Sequence, residues 1–227
     1  SELVIRKDNK WQVYDIKSGA LSDLKAQPAP SLNAVTKGQS LYLVGKDGKE
    51  TPVAVSENDQ ITYGQFTSRN EFGIEGGIFW SPDSSKVAFY RKDESRVTTF
   101  PLLDITTRTG TARNIKYPMI GMPSEQLKFG VYDVAQNKTI YLNITDFTDE
   151  RYLTNPAWSP DGKTIYIQVM NREQKSLNLN AYDAITGEFK ATLLSESNPH
   201  FLEPNQPIIF LDNHRFIYTT DNRDGYY

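Results

Sequence analysis

Residues 69–91 of the chain are RNEFGIEGGIFWSPDSSKVAFYR, and the second half of this stretch recurs at residues 158–167 as WSPDGKTIYI. A unit that repeats within one chain determines its architecture, because each copy builds the same supersecondary structure. Here Pro opens a strand, Asp-Gly makes the tight turn, and the apolar run after it forms the strand itself. The first half, residues 69–77, does not recur. We therefore expect the repeated half to build the fold and the unrepeated half to carry a site.

The composition favours an all-β chain that binds no nucleic acid. Of the 227 residues, 12% are aromatic, and Tyr and Phe favour pleated, half-buried strands. The net charge is -3, from 25 basic and 28 acidic residues without a run of one sign, whereas nucleic-acid surfaces need clustered Lys and Arg. Cysteine is absent, so neither a disulfide framework nor a thiolate metal site is expected.

Copies of one strand end, Tyr-Asp followed by a turn, divide the chain. They lie at residues 14–15, 132–133 and 182–183. A diverged fourth strand with an Asp-Gly turn spans residues 39–49. One hairpin fits between Trp158 and Tyr182, and a second brings the unit to about 45 residues, the length of a four-stranded propeller blade. The predicted fold is therefore an incomplete β-propeller of four-stranded antiparallel blades, with roughly four to five blades in this chain. Residues 92–127 form an excursion in which prolines are expected to interrupt any regular pattern.

Both ends of the sequence indicate that the chain is a fragment of a longer protein. Residues 2–5 have the pattern of the middle of a strand, and Tyr226-Tyr227 begins a strand after a predicted turn at residues 223–225. An unpaired strand edge of this kind is an aggregation hazard in a free-standing domain. No apolar stretch is long enough to span a bilayer, and no signal peptide opens the sequence.

No complete catalytic machinery is encoded in these residues. The phrase nearest to a hydrolase nucleophile elbow, residues 38–42, lacks the final Gly, and neither His200 nor His214 has the acid and nucleophile that a triad needs. Residues 161–164 resemble the tail of a phosphate-binding loop, but Ala157 replaces the required Gly, so a hairpin turn is predicted there. We expect no catalytic residue, no metal ligand and no cofactor in this chain.

Two groups of carboxylates are candidates for a site. Asp146, Asp149 and Glu150 are of the type that binds hard cations, although their spacing matches no calcium loop and a solvated turn is favoured. Glu71 and Glu75 lie in the unrepeated segment among small and aromatic residues. Because charged residues are normally exposed, the sequence alone favours a solvated Glu here as well.

The unrepeated segment and the residues after it resemble the N-terminal propeller of the dipeptidyl peptidase IV family, in the bacterial branch of these prolyl-oligopeptidase-like serine peptidases. The phrase WSPDG occurs in many extracytoplasmic propellers, whereas the match over residues 69–97 is specific. The resemblance implies an eight-bladed propeller followed by a C-terminal α/β-hydrolase domain with a Ser-Asp-His triad. Residues 1–227 then belong to the N-terminal propeller domain, and the hydrolase domain is absent from the chain. The likeness continues at residues 115–121, 169–172, 179–183, 203–204 and 224–226.

The resemblance also implies a peptide-binding site. Family members release dipeptides, usually after Pro or Ala, and bind the substrate's α-ammonium through two adjacent glutamates on a short propeller insert. Carried over to this chain, Glu71 is the anchor, Arg69 holds its carboxylate or binds a peptide carbonyl, and Phe72 walls the pocket. His200 lies where the family has pocket-lining residues. Because Asn70 replaces one glutamate of the pair, two outcomes stay open: dipeptide release, or tripeptide release with a second acid from the absent domain.

The sequence therefore predicts the propeller portion of a dipeptidyl-peptidase-IV-like serine exopeptidase from the bacterial periplasm or exterior. Its expected partners are peptides with a free N-terminus, the hydrolase domain of the same protein and a second copy in a homodimer. One alternative is a non-catalytic extracytoplasmic propeller that binds protein partners. Another is a propeller lyase or glycosidase with Asp93 and Glu94 as its acids, although these residues directly follow a strand and are better interpreted as its turn.

Overall fold

The computed structural model describes residues 2–7, 10–23, 32–212 and 215–222. These residues form strands joined by turns and contain no α-helix, so the predicted all-β class is confirmed. None of their helical turns is long and apolar enough to cross a membrane. His214 and the predicted C-terminal turn and strand at residues 223–227 lie outside the described residues. The strands are β1 (Glu2–Lys7), β2 (Lys10–Asp15), β3 (Leu21–Asp23), β4 (Leu32–Lys37), β5 (Ser40–Gly45), β6 (Glu50–Ala54), β7 (Ile61–Tyr63), β8 (Ile78–Trp80), β9 (Lys86–Asp93), β10 (Thr99–Asp104), β11 (Thr111–Lys116), β12 (Gln126–Asp133), β13 (Lys138–Tyr141), β14 (Tyr152–Trp158), β15 (Thr164–Met170), β16 (Ser176–Asp183), β17 (Phe189–Ser197), β18 (Ile209–Phe210) and β19 (Phe216–Ile217).

The chain divides into two units, residues 1–31 and residues 32–227. The first unit contains a three-stranded antiparallel sheet in the order β1-β2-β3. Strand β2 ends at Asp15, whose Oδ1 accepts hydrogen bonds from the backbone N–H groups of Ser18 at 2.7 Å and Lys17 at 3.0 Å. This is the first of the predicted Tyr-Asp strand ends, and its Asp caps the turn that follows.

The second unit contains the remaining sheets, which are all antiparallel. Strands β4-β5-β6 form one sheet, and β14-β15-β16-β17 form a four-stranded meander, which is the strand arrangement expected of a propeller blade. A third sheet has the order β13-β12-β9-β7, with β8 also paired to β9. The hairpins β10-β11 and β18-β19 are separate two-stranded sheets. The number of blades and their closure into a ring stay predictions.

The first strand of the β7–β13 sheet is broken in two. Strand β7 pairs with β9 from Asp93 to Arg91, and β8 pairs with the same edge of β9 from Phe89 to Val87. Residues 64–77, called the insert below, leave the sheet between them. The insert therefore lies within one interrupted strand and ends directly before β8. The other Trp-Ser-Pro-Asp strand, β14, has a β-bulge between Thr154 and Ala157 at the corresponding place.

The Trp-Ser-Pro-Asp turn and the strand after it are built as the sequence predicts in both copies, but the prediction that Pro opens a strand is wrong. Strands β8 and β14 end at Trp80 and Trp158, and the Pro lies in the turn that follows. Asp83 Oδ1 accepts hydrogen bonds from Ser81 Oγ at 2.7 Å and from the backbone N–H of Ser85 at 3.1 Å, and these bonds lower the pKa of Asp83 to about 2. In the second copy, Ser159 Oγ donates to Asp161 at 2.6 Å. In each copy the Ser hydroxyl also accepts a hydrogen bond from the backbone N–H of the first residue of the next strand, so the motif joins two strands.

Residues 92–127 contain a regular hairpin, contrary to the prediction at Pro101, whereas Pro118 and Pro123 lie in residues 117–125, which form no strand, as predicted. Strands β10 and β11 form a six-pair antiparallel hairpin in which Pro101 lies opposite Asn114. A two-stranded sheet has two free edges, where a missing proline N–H interrupts no ladder. The hairpin and the residues after it expose large apolar side chains, among them Leu103, Ile105 and Ile120.

Two clusters of buried side chains form the core of the second unit. One includes Leu41, Leu43 and Phe89, between the β4–β6 sheet and the β7–β13 sheet. The other lies between the β7–β13 sheet and the β14–β17 sheet, and it includes Tyr90 and Leu153. Phe72 and Ile74 of the insert, together with Leu202, belong to this second cluster. The insert is thus fixed to the core by apolar packing.

Candidate functional site

The insert is a loop whose two ends meet at one residue. The backbone N–H of Gly64 donates to the Tyr90 carbonyl at 2.9 Å, and the Tyr90 N–H donates to the Gly77 carbonyl at 3.1 Å. Gly77 lies so close to Gln65 that an added Cβ would stand 2.1 Å from the Gln65 carbonyl oxygen. Loops with adjacent ends and internal packing are a common carrier of functional residues.

The tip of the insert has an uncommon backbone conformation. Positive φ angles occur at Ser68, Arg69, Asn70 and Phe72, between 50° and 65°, and also at Gly73. Non-glycine residues seldom adopt such angles, and each one costs on the order of 1 kcal/mol or more unless surrounding contacts enforce it. Several such residues in a row indicate that the neighbouring structure holds the tip in one shape.

Glu125 is one of the contacts that hold the tip. Its Oε1 accepts a hydrogen bond from the backbone N–H of Ser68 at 2.7 Å, and both residues are buried. Burial raises the pKa of the Glu125 carboxyl, against the Ser68 hydrogen bond and the charge of Lys92, which lower it. Sequence reasoning missed Glu125, because no local signal connects two residues that lie in different loops.

Glu71, the predicted anchor, lies beside Arg69 at the tip. Their charged groups are 3.4 Å apart, and the side chains are 48% and 43% exposed. An ion pair as exposed as this contributes little to stability, roughly 0 to 1 kcal/mol. The Arg69 guanidinium also lies 5.2 Å from the centre of the Tyr117 ring. Both charges are therefore available to a ligand.

The Glu71 side chain borders a cleft of about 200 Å³. Phe72 forms part of the wall of this cleft. The buried ring of Phe72 packs against Tyr152, with the ring centres 5.0 Å apart. Three further residues of the lining come from far along the chain, and one of them, Glu203, is acidic. The complete lining consists of Glu71, Phe72, Gln174, Phe201 and Glu203.

The structure brings together only some of the residues predicted for the site. Glu71 and Phe72 line the cleft, and Arg69 pairs with Glu71. The Asn70 side chain instead donates to the Ile74 carbonyl at 3.1 Å and so serves the loop's own shape. His200 is exposed and is not among the lining residues, whereas the next residue, Phe201, is. Glu203 and Gln174 were not predicted as site residues, because only the fold brings them to the insert.

The carboxylates considered for a cation site or for lyase chemistry form hydrogen bonds or ion pairs within the protein. Asp146 accepts from the side-chain amides of Asn178 at 2.7 Å and Asn180 at 2.9 Å, which joins its loop to β16. Within the described residues, no group of three or more His, Asp or Glu could hold a metal ion. Asp93 and Glu94, the acids of the lyase alternative, pair with Arg91 at 3.6 Å and Lys92 at 3.4 Å.

A larger cavity, of about 660 Å³, lies near β12 and β13. Of the charged groups in its lining, Arg91 is paired with Asp93, and Asp149 accepts a hydrogen bond from Gln126 at 2.9 Å. Arg151 donates to the Asp146 carbonyl. The lining of this larger cavity contains no residue of the insert, whereas the smaller cleft is lined by Glu71 and Phe72, so the smaller cleft is the better candidate for a site carried on the insert.

Comparison with known proteins agrees with the sequence resemblance. The family model for the dipeptidyl peptidase IV (DPP IV) N-terminal region matches residues 2–227. Two fungal proteins, each named a probable dipeptidyl-aminopeptidase B, are similar: that of Emericella nidulans is 26% identical over 81% of the chain, and that of Pyrenophora tritici-repentis 29% over 70%. The chain covers only 22% and 20% of these two relatives.

Solved structures from two bacteria are also similar. The crystal structure of a candidate dipeptidyl aminopeptidase IV from Bacteroides ovatus is 40% identical, with a TM-score of 0.74 over 97% of the chain and 32% of that protein. Dipeptidyl peptidase 4 of Porphyromonas gingivalis, at 17% identity, shares the fold, with a TM-score of 0.75 over the whole chain and 36% of that protein. The chain thus spans about a third of the length of either structure. From the family match over nearly every residue, we conclude that this chain belongs to the dipeptidyl peptidase IV family and carries its N-terminal region.

Proposed function

We propose that the chain is the propeller portion of a dipeptidyl-peptidase-IV-like serine exopeptidase and that Glu71 binds the α-ammonium of the peptide substrate. The observation that carries this proposal is the position of Glu71, on the rigid tip of the insert and in the lining of an aromatic cleft. A hydrolase domain that follows the chain supplies the Ser-Asp-His triad and cleaves after Pro or Ala. The blades form part of a ring that admits peptides to the triad.

The chemistry of a peptide N-terminus suits this carboxylate. A free α-amino group has a pKa of about 7.7 to 8.0, so it is mostly protonated at neutral pH and offers three N–H donors. A hydrogen bond to a charged group contributes about 1.5 to 3 kcal/mol where water is excluded, against about 0 to 1 kcal/mol for an exposed ion pair. The exposed Arg69 pair is weak enough for a substrate ammonium to compete with it or to join it.

The anchor also explains how an exopeptidase sets the length of the peptide that it releases. A carboxylate that binds the α-ammonium fixes one end of the substrate, and the triad cleaves the bond that this distance brings to it. A rigid anchor is needed, because a displacement of about 1 Å at the bound end misaligns the reacting carbonyl. The hydrogen bond from Ser68 to Glu125 and the packing of Phe72 against Tyr152 supply that rigidity.

The test is Glu71→Gln in the complete protein. We expect kcat/KM for Ala-Pro-4-nitroanilide to fall by about 10- to 100-fold, which corresponds to the loss of one charge-assisted hydrogen bond. The N-acetylated substrate, which has no ammonium, should be cleaved slowly and equally by both enzymes. Glu75→Gln is the matched control, since Glu75 lies on the same insert but borders a different cavity. Wild-type kcat/KM in Glu71→Gln would refute the anchor.

The protein's location and assembly belong to the same proposal. We place the protein in the bacterial periplasm or outside the cell and expect a homodimer. The hairpin β10-β11 supports the homodimer, because Leu103 and Ile105 are 70% and 79% exposed and a second copy would shield them. Replacing both by Asp should convert the complete protein from dimer to monomer in sedimentation velocity. A dimer unaffected by this change would exclude the hairpin as its interface.

A further inference from the structure

We propose that Glu203 is the second carboxylate of the amine site, in place of the adjacent acid that Asn70 lacks. The inference rests on the proposed function of Glu71 and extends it. It assigns both acids of the site to this chain, so that the site needs no acid from another domain. The observation behind it is that Glu71 and Glu203 line the same cleft from two segments that are far apart in sequence.

The backbone on both sides of Glu203 is held in place. On one side, the Leu202 N–H donates to the Gln174 carbonyl at 2.7 Å. On the other, Asn155 Nδ2 donates to the Pro204 carbonyl at 2.9 Å, from a side chain that is buried in the β14 bulge. A further bond at 2.9 Å joins Gln168 to the carbonyl of residue 206. Glu203 lies between these attachments, so its backbone has a defined position without regular secondary structure.

The same segment is packed directly against the insert. An added Cβ at Gly73 would lie 2.3 Å from the Asn205 carbonyl oxygen, so the two backbones are in close contact. Leu202 and Phe72, the neighbours of the two glutamates, belong to the same buried cluster. Contacts on both sides of the cleft therefore fix the distance between the segments that carry Glu71 and Glu203.

The chemistry of the cleft lining suits one ammonium group. Glu71 and Glu203 are acidic residues of the lining on two different segments of the chain. Three N–H donors of an α-ammonium can be divided between carboxylates on two sides, which orients the group as well as holding it. The Asn70 amide is bonded to the Ile74 carbonyl and is not needed as an acceptor. The ligand class is thus a peptide with an unmodified N-terminal amine.

The inference is tested by Glu203→Gln in the complete protein, with Glu173→Gln as the matched control. Glu173 is one residue from Gln174 but is exposed and outside the cleft lining. We expect KM for Ala-Pro-4-nitroanilide to rise about tenfold in Glu203→Gln while kcat changes by less than about twofold, and Glu173→Gln to match the wild type. Glu203→Asp keeps the charge and should recover most of the lost affinity.

The outcomes distinguish a failure of this inference from a failure of the proposed function of Glu71, on which it rests. If Glu71→Gln weakens substrate binding and Glu203→Gln does not, the second carboxylate is overturned and the anchor stands. If neither change affects kcat/KM, the anchor proposed at Glu71 fails as well. If Glu203→Gln and Glu203→Asp weaken binding equally, the charge of Glu203 is not what binds the ammonium, and the inference is likewise overturned. Melting temperatures equal to that of the wild type are required of each variant, so that a folding defect is not scored as support.

Discussion

Gly77→Ala is expected to lower the free energy of unfolding of the propeller region by about 3 kcal/mol, because its methyl group has no space. The new Cβ would stand 2.1 Å from the carbonyl oxygen of Gln65 and 2.6 Å from the carbonyl carbon of Gly64. Both are backbone atoms and cannot turn away as a side chain can. Relief requires the two ends of the insert to separate, which also breaks the hydrogen bonds of both ends to Tyr90.

Gly76→Ala is the matched control for this change. Nothing lies within 4 Å of a Cβ at Gly76, and neither Gly76 nor Gly77 has a positive φ, so the two substitutions differ only in steric contact. In thermal unfolding, a change of about 3 kcal/mol corresponds to roughly 6 to 12 °C for a domain of this size, whereas Gly76→Ala should stay within about 2 °C. Equal shifts for the two glycines would show that the insert does not close at Gly77. Loss of the closed insert should also raise KM in Gly77→Ala, since Glu71 is carried on it.

Much of the sheet structure could be predicted, because its signals are local. Ser81 and Asp83 form their hydrogen bonds within one turn, as do Asp15 with Ser18 and Asp183 with Thr186. A pattern confined to five residues can be recognised from the sequence alone. The same locality allowed the family resemblance to be recognised from residues 69–97, and the family match over residues 2–227 agrees with it.

The parts that could not be predicted depend on contacts between distant residues. In the β7–β13 sheet, the break in the first strand is closed by backbone hydrogen bonds of Tyr90 to both Gly64 and Gly77. No short sequence pattern predicts these bonds. The hydrogen bond from Ser68 to Glu125 joins residues in separate loops. Sequence reasoning therefore identified Glu71 but could not determine which second residue shares its cleft.

Tyr90→Ala is expected to have the largest effect of all, a loss of about 3 to 5 kcal/mol in the free energy of unfolding, as for other large aromatic residues removed from a core. The side chain is 1% exposed and packs edge-to-face against Phe79 at 5.7 Å and Phe129 at 5.1 Å between ring centres. Its hydroxyl donates to the carbonyl of Leu153 in β14 at 2.8 Å. The residue therefore joins the sheet that carries the insert to the sheet beside it. Burial between the two sheets strongly raises the pKa of the Tyr90 hydroxyl.

Tyr90→Phe separates the two contributions of this side chain. It keeps the ring and leaves only the Leu153 carbonyl without its donor, which should cost about 1 to 2 kcal/mol. Because the insert is held through the backbone of residue 90, Tyr90→Phe should leave KM unchanged, whereas Tyr90→Ala should raise it as the collapsing core displaces Phe79 and the nearby Gly77. Thermal melts and KM values of the complete protein measure both effects. If Tyr90→Ala shifted the melting temperature no more than Tyr90→Phe, aromatic packing could not be what holds the two sheets together, and the rigidity assigned to the amine site would have to come from its hydrogen bonds alone.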